Sequence, residues 1–191
     1  MASALGLADE DGPTALTMRR LATRLGVEAA SLYHHLPSKG ALLQAMVDTV
    51  AARVVVADAA DRPWPDQLRV IGTNLRGTLR EHPGVVPIVA THPVSRDVGM
   101  RLLGPVVAAM SADVDVAEAA RAVQSVAVFV IGHVLAEVGG PAEGEDALPA
   151  RADDATFDAW FDAGLDALVR GFVERAGDRG LASEDLRSGR E

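Results

Sequence analysis

The chain has 191 residues, 49% of them hydrophobic and 24% charged, with 18 basic against 27 acidic side chains for a formal net charge of -9. A chain this long buries roughly 70% of its unfolded surface without a staple, and the lack of any cysteine excludes disulfides, thiolate zinc sites, iron–sulfur clusters and cysteine nucleophiles. The first residues, MASALGLADEDG, carry no basic n-region, and the apolar run around Val126 to Ile131 falls short of the ~20 residues needed to cross a bilayer, so a cytoplasmic protein with no membrane partner is expected.

Apolar residues recur at three and four, aromatics make up 4%, and alanine and leucine abound, which predicts an all-α fold. A short first helix ends near Asp11 to Pro13. Two brief helices follow over about 17–25 and 28–35, split by Gly26, and Ser38 stands where an N-cap belongs for a helix from Lys39 to about Ala57. The paired prolines of Asp61-Arg62-Pro63-Trp64-Pro65 stop one helix and suit the first turn of another. They divide an N-terminal domain, residues 1–60, from a larger one, residues 61–178. In the second, helices are predicted at about 64–82, 84–90, 94–111 with a bend at Gly104-Pro105, 114–138 and 155–176. Residues 139–154, rich in Gly, Pro and acid, read as a long loop, and 179–191 as a disordered tail.

Charge is unevenly spread. Residues 13–53 hold five basic side chains against two acidic, a balance of +3 on an acidic chain, and Lys39 is the only lysine. Within LTMRRLATRLGVEAASLYHHLPSKGALL, residues 16–43, Leu16, Leu21 and Leu25 share one helical face and Val27, Leu32 and Leu36 supply the inner face of the next helix. Two short helices joined by a glycine turn are the geometry of a helix-turn-helix. With Leu32 and Leu36 inward, Ala29, Ala30, Tyr33 and His34 are expected outward on a surface slim enough to approach base edges.

The string LTMRRLA, LGV, SLYHHL and SKGALL, spanning Thr14 to Ala57, resembles the DNA-binding domain of the tetracycline-repressor (TetR) family of bacterial regulators. The resemblance implies an N-terminal three-helix DNA-binding unit on a larger helical domain for ligand binding and dimerisation. It implies phosphate contacts from Thr17, Tyr33 and Lys39, a backbone or base contact from Arg19, and groove contacts from Glu28, Ala29, Ala30, Ser31 and His34. His35 and Arg20 rank lower as solvated charges. Compared with the family pattern the first helix is short and lacks a basic arm, so the arm's phosphate contacts are expected to be missing and affinity lowered.

The second domain is loosely similar to that of the tetracycline repressors themselves. Positions that hold polar or aromatic drug contacts there read Ile71, Leu75 and Val89 here, so tetracycline is not the expected effector. Asn74, His92, Met100, Leu103, Phe129 and His133 are the candidate contacts for a small molecule, with ordinary core packing as the other reading of the apolar members. A dimer is expected through helices 114–138 and 155–176, with Val123, Val126, Val130, Val134 and Leu135 facing Trp160, Leu165, Leu168 and Phe172, although core packing gives the same spacing. No HExxH, phosphate loop or nucleophile–base pair is present, so neither an enzyme nor a cofactor or metal site is expected. The expected function is a homodimeric repressor that leaves double-stranded operator DNA when a small-molecule effector binds. The alternative is a dimeric interaction protein that no longer binds DNA.

Overall fold

The structure is a computed structural model that describes residues 1–55, 61–111, 113–139 and 152–188, with side chains to residue 177. It is helical throughout, with no strand among the described residues. In chain order come α1 (Ala2–Asp11), a 3-10 turn (Pro13–Ala15), α2 (Met18–Leu25), α3 (Ala29–His35), α4 (Lys39–Ala51) and α5 (Trp64–Arg80). A second 3-10 turn (Pro83–Val85), α6 (Val86–Thr91), α7 (Arg96–Met110), α8 (Val116–Val138) and α9 (Asp154–Ser188) complete it.

Local chemistry sets these limits. Thr17 caps α2 by accepting from the Arg20 amide at 3.1 Å, and Ser38 caps α4 by accepting from Ala41 at 3.0 Å. Gly26 sits at φ 68°, in the left-handed region, where its N–H reaches Thr23 and that of Val27 reaches Ala22. That pair of bonds is a Schellman closure. Pro105 stands inside α7 without ending it. α9 runs as far as Ser188, past residue 179, where the disordered tail is expected to begin. Most of the predicted loop, residues 140–151, lies outside the described residues, as do residues 56–60 at the end of the helix predicted to run to Ala57.

The head (α1 to α4) and the body (α5 to α9) share one continuous core, from Leu5, Leu16 and Met46 to Leu68, Val130 and Phe161. Their joint is polar as well. Asp9 accepts from the Gly84 amide and from His82 Nδ1, both at 2.9 Å, and Arg53 meets the other ring nitrogen of His82. Only glycine fits at 84, because a Cβ there would lie 1.9 Å from the Ala8 carbonyl oxygen.

At the other end of the body, Arg76 on α5 is buried at 8% exposure, bonds Glu137 of α8 at 2.9 and 3.1 Å and Asp158 of α9 at 2.6 Å, and lies 4.6 Å over the Phe161 ring. Burial opposes its charge, but the bonds from Glu137 and then Asp158 outweigh that and hold the guanidinium above its ordinary pKa. By length and composition α8 is apolar enough to cross a membrane, which the sequence reading had excluded. Of that apolar window 33% is buried within the chain, where α5, α6, α7 and α9 pack against it. Replacing Arg76 by Met is expected to cost ~3 kcal/mol in urea unfolding, because Glu137 is left buried and underpaired, and a second change, Glu137→Leu, should recover most of the loss.

Candidate DNA interface and effector cavity

In the head, α3 is anchored by Leu32, with Ala29 and Leu36 packed beside it on the same face. Ala30, Ser31, Tyr33 and His34 are exposed, as are Thr17, Arg19, Glu28 and Lys39. Ala29 is the correction. It precedes Leu32 by three residues, so one helical turn places both inward. Leu25 and Val27, expected to be buried, are each 45% exposed, since the chain turns away from the core through the glycine closure between them.

Charge pairing sorts the arginines in a way that spacing did not reveal. Arg20 is tied to Asp11 at 2.6 Å, and Arg24 holds Glu10 through both carboxylate oxygens, drawing the Glu10 pKa below its usual value. Those two cations are thus neutralised by the acidic end of α1. Among the described residues no ion pair involves Arg19 or Lys39. Lys39 opens α4 directly after its cap, with its charge free at a helix N-terminus, where free N–H groups already favour an anion.

The body holds a cavity of about 610 Å³, within the roughly 300–1,000 Å³ typical of ligand pockets. Its floor is the end of α4, through Val47, Val50 and Ala51, with Val54 just beyond it, and its back wall is α5, through Leu68, Ile71, Leu75 and Leu79. Val89 to Val94 close one end, Leu102 and Leu103 of α7 one side, and α8 the other, opening at the exposed Gln124, Val128 and Gly132. Two of the six expected contacts, His92 and Leu103, line this cavity. The other four do not. Asn74 donates to the Val55 carbonyl at 2.6 Å and ties the linker to α5, and Met100 is 63% exposed on the outer side of α7.

Phe129 and His133 lie on a different face of α8, about 100° per residue round the helix from the cavity-lining Val128 and Ile131. Phe129 stacks on Phe161 and rests against Gly164, where a Cβ would come within 2.6 Å of the ring. His133 packs among Phe129, Phe157 and Phe161 with Nε2 buried and unbonded. Burial, and then the nearby Arg76 charge, lowers its pKa below the ordinary histidine value. The unfolded chain therefore takes up this proton first as pH falls, and stability drops below the ordinary histidine pKa. Periodicity alone could not have told the two faces apart, whereas the Ile71, Leu75 and Val89 positions named by the resemblance do line the cavity.

A reading head of this kind on a helical body with an internal compartment defines the class of one-component DNA-binding regulators. Residues 1–46 match the family described as "Bacterial regulatory proteins, tetR family", and residues 58–157 match "Tetracyclin repressor-like, C-terminal domain". A transcriptional regulator of the helix-turn-helix type from Saccharopolyspora erythraea is 30% identical over 93% of this chain and 84% of its own length. A TetR variant from Acinetobacter baumannii, solved with minocycline, is 27% identical with a TM-score of 0.76, covering 92% of this chain and 94% of its own. BioQ from Mycobacterium smegmatis is 29% identical with a TM-score of 0.74, covering 90% and 93%, and a structure of BioQ on its double-stranded operator aligns at 0.67 with 26% identity over the same shares. The chain belongs to the TetR family, and it is a DNA-binding transcriptional regulator of the ligand-responsive kind.

His133→Phe is expected to flatten the fall in thermal midpoint between neutral pH and pH 5, as followed by circular dichroism, because it removes a group protonated more readily in the unfolded chain.

Proposed function

We propose that the protein is a homodimeric repressor that holds operator DNA through α2, α3 and the start of α4, and lets go when a small molecule fills the body cavity. The observation that carries the reading is the double use of α4. Its cap and first residue, Ser38 and Lys39, face outward at the DNA side, while Val47, Val50 and Ala51 further along the same helix form the cavity floor. Gln44 donates to the Pro93 carbonyl at 2.9 Å and Asp48 accepts from the Ser95 amide at 2.8 Å, so α4 is also clasped to the loop beside His92. A ligand that prefers one position of these walls necessarily shifts the position of α4.

Thr17, Tyr33 and Lys39 are assigned to phosphates, Arg19 to the backbone or a base edge, and Glu28, Ala30, Ser31 and His34 to the groove. Half-sites 34–36 Å apart need two recognition helices, hence two copies. The face expected for a dimer is divided between core and surface. Val123, Val126, Val130, Val134, Leu165 and Phe172 are consumed by the chain's own core. Exposed or half-exposed on α8 and α9 are Leu135 at 39%, Trp160 at 57% and Leu168 of the expected face, together with Val128 at 59% and the small Ser125, Gly132, Ala136, Ala163, Ala167 and Gly171. A Cβ at Gly171 would meet nothing within 4 Å, so the chain's own packing does not require glycine there.

Anisotropy titration against labelled DNA from the gene's own upstream region tests the reading, with saturable binding lost to unlabelled specific duplex but not to random duplex. Lys39→Ala should weaken binding evenly across sequences and reduce the salt slope by about one, whereas His34→Ala should change base preference. Gly171→Arg should yield a folded monomer by sedimentation and reduce affinity for the two-half-site duplex by roughly 10²-fold.

A further inference from the structure

Resting on the assignment of the body cavity as the effector compartment, we infer that the effector is an uncharged, metal-free and largely hydrocarbon molecule. Among the described residues, none of the side chains that line the cavity carries a formal charge, and the polar ones are Thr91, His92 and Gln124. An anion or a metal chelate taken into such walls would lose its hydration with no counter-charge to replace it. The nearest acid on the floor helix, Asp48, is engaged by the Ser95 amide and by Gln44 and points its oxygen at them. Among the described residues no group of three His, Cys, Asp or Glu side chains is placed to hold a metal ion, so His92 stands alone as a donor.

His92 is itself set for a neutral ligand. Its Nδ1 lies 3.2 Å from the Ile88 carbonyl oxygen and 3.0 Å from Thr91 Oγ1, and Thr91 in turn donates to the Pro87 carbonyl at 2.9 Å. A carbonyl only accepts, so Nδ1 donates to it, and in the neutral ring Nε2 is then the acceptor. The ring therefore meets a hydroxyl or N–H donor, and Gln124 at the mouth takes either a donor or an acceptor. With about 610 Å³ available, the compartment suits a skeleton of several rings bearing one or two hydroxyl or carbonyl groups.

A matched pair of dyes separates charge from shape. The neutral 1-anilinonaphthalene and its 8-sulfonate share one skeleton and differ by one negative charge. Titrated into the full-length protein, the neutral dye should bind at least about tenfold more tightly, with no change on adding magnesium, and tetracycline with magnesium should not displace it. Ala127→Phe, which fills the cavity from α8, should abolish dye binding. Should that variant fail to fold, Gly132→Phe serves, since its Cβ position is open. Equal or tighter binding of the sulfonate, magnesium-dependent displacement by tetracycline, no binding of either dye, or dye binding untouched by the filling variant would each overturn the inference. Operator binding measured on the same preparation keeps the two readings apart. Bound DNA with a preference for the sulfonate defeats only the effector class, while absent DNA binding defeats the repressor assignment and leaves the dye ranking to decide the cavity's chemistry.

Discussion

The arrangement rests on the packing of one thirteen-residue helix, α4, whose two ends answer to different partners. Its N-terminal turn is held by the Ser38 cap and faces solvent. Leu42, Met46, Val47 and Val50 along its inner side are all at 2% exposure or less. A helix is stiff on this length scale, and close-packed side chains transmit displacement rather than absorb it. The core that unites head and body therefore leaves α4 little freedom to adjust one end without moving the other. The Gln44 and Asp48 bonds to the α6–α7 connection add direction to that restraint, because they seize the helix on the side nearest the cavity's closed end.

A second restraint comes from the far side of the body. Arg76 and Glu137, both buried, and the more exposed Asp158 join α5, α8 and α9 through charge-assisted bonds, and separating the buried pair is costly. The compartment between α5, α7 and α8 is walled instead by apolar contacts, which are non-directional. Regulators need such a division, since a uniformly rigid body would not respond to a ligand and a uniformly soft one would not pass the response on.

The head was legible in the sequence because its determinants are local. Thr17, Gly26 and Ser38 each act within three to five residues of their own position, and the caps and closure form where the residue types placed them. The body was legible as helices but not as surfaces. Whether Phe129 or Val128 faces the cavity depends on where α9 lies against α8, and 3.6-residue periodicity carries no information about which neighbour fills which side of a helix apolar nearly all round. The same ambiguity leaves the valines of α8 readable either as a dimer face or as core, and Val123, Val126, Val130 and Val134 lie in the core. Ala29 is half-buried because its three-residue spacing from Leu32 sets both near one face of α3. The pairing of Arg20 and Arg24 with Asp11 and Glu10 lay beyond reach because the end of α1 meets α2 only after the intervening turn has reversed the chain.

The joint at Gly84 has an implication for modularity. Because the Ala8 carbonyl occupies the space a side chain would need, and Asp9 grips the amide and the imidazole next to it, the head and the body are matched surfaces rather than beads on a string. Recombining a reading head from one relative with a sensing body from another would succeed only where both halves preserve this keyed seam. Shuffling at the proline-rich boundary alone would leave the two pieces covalently joined but mechanically deaf to each other.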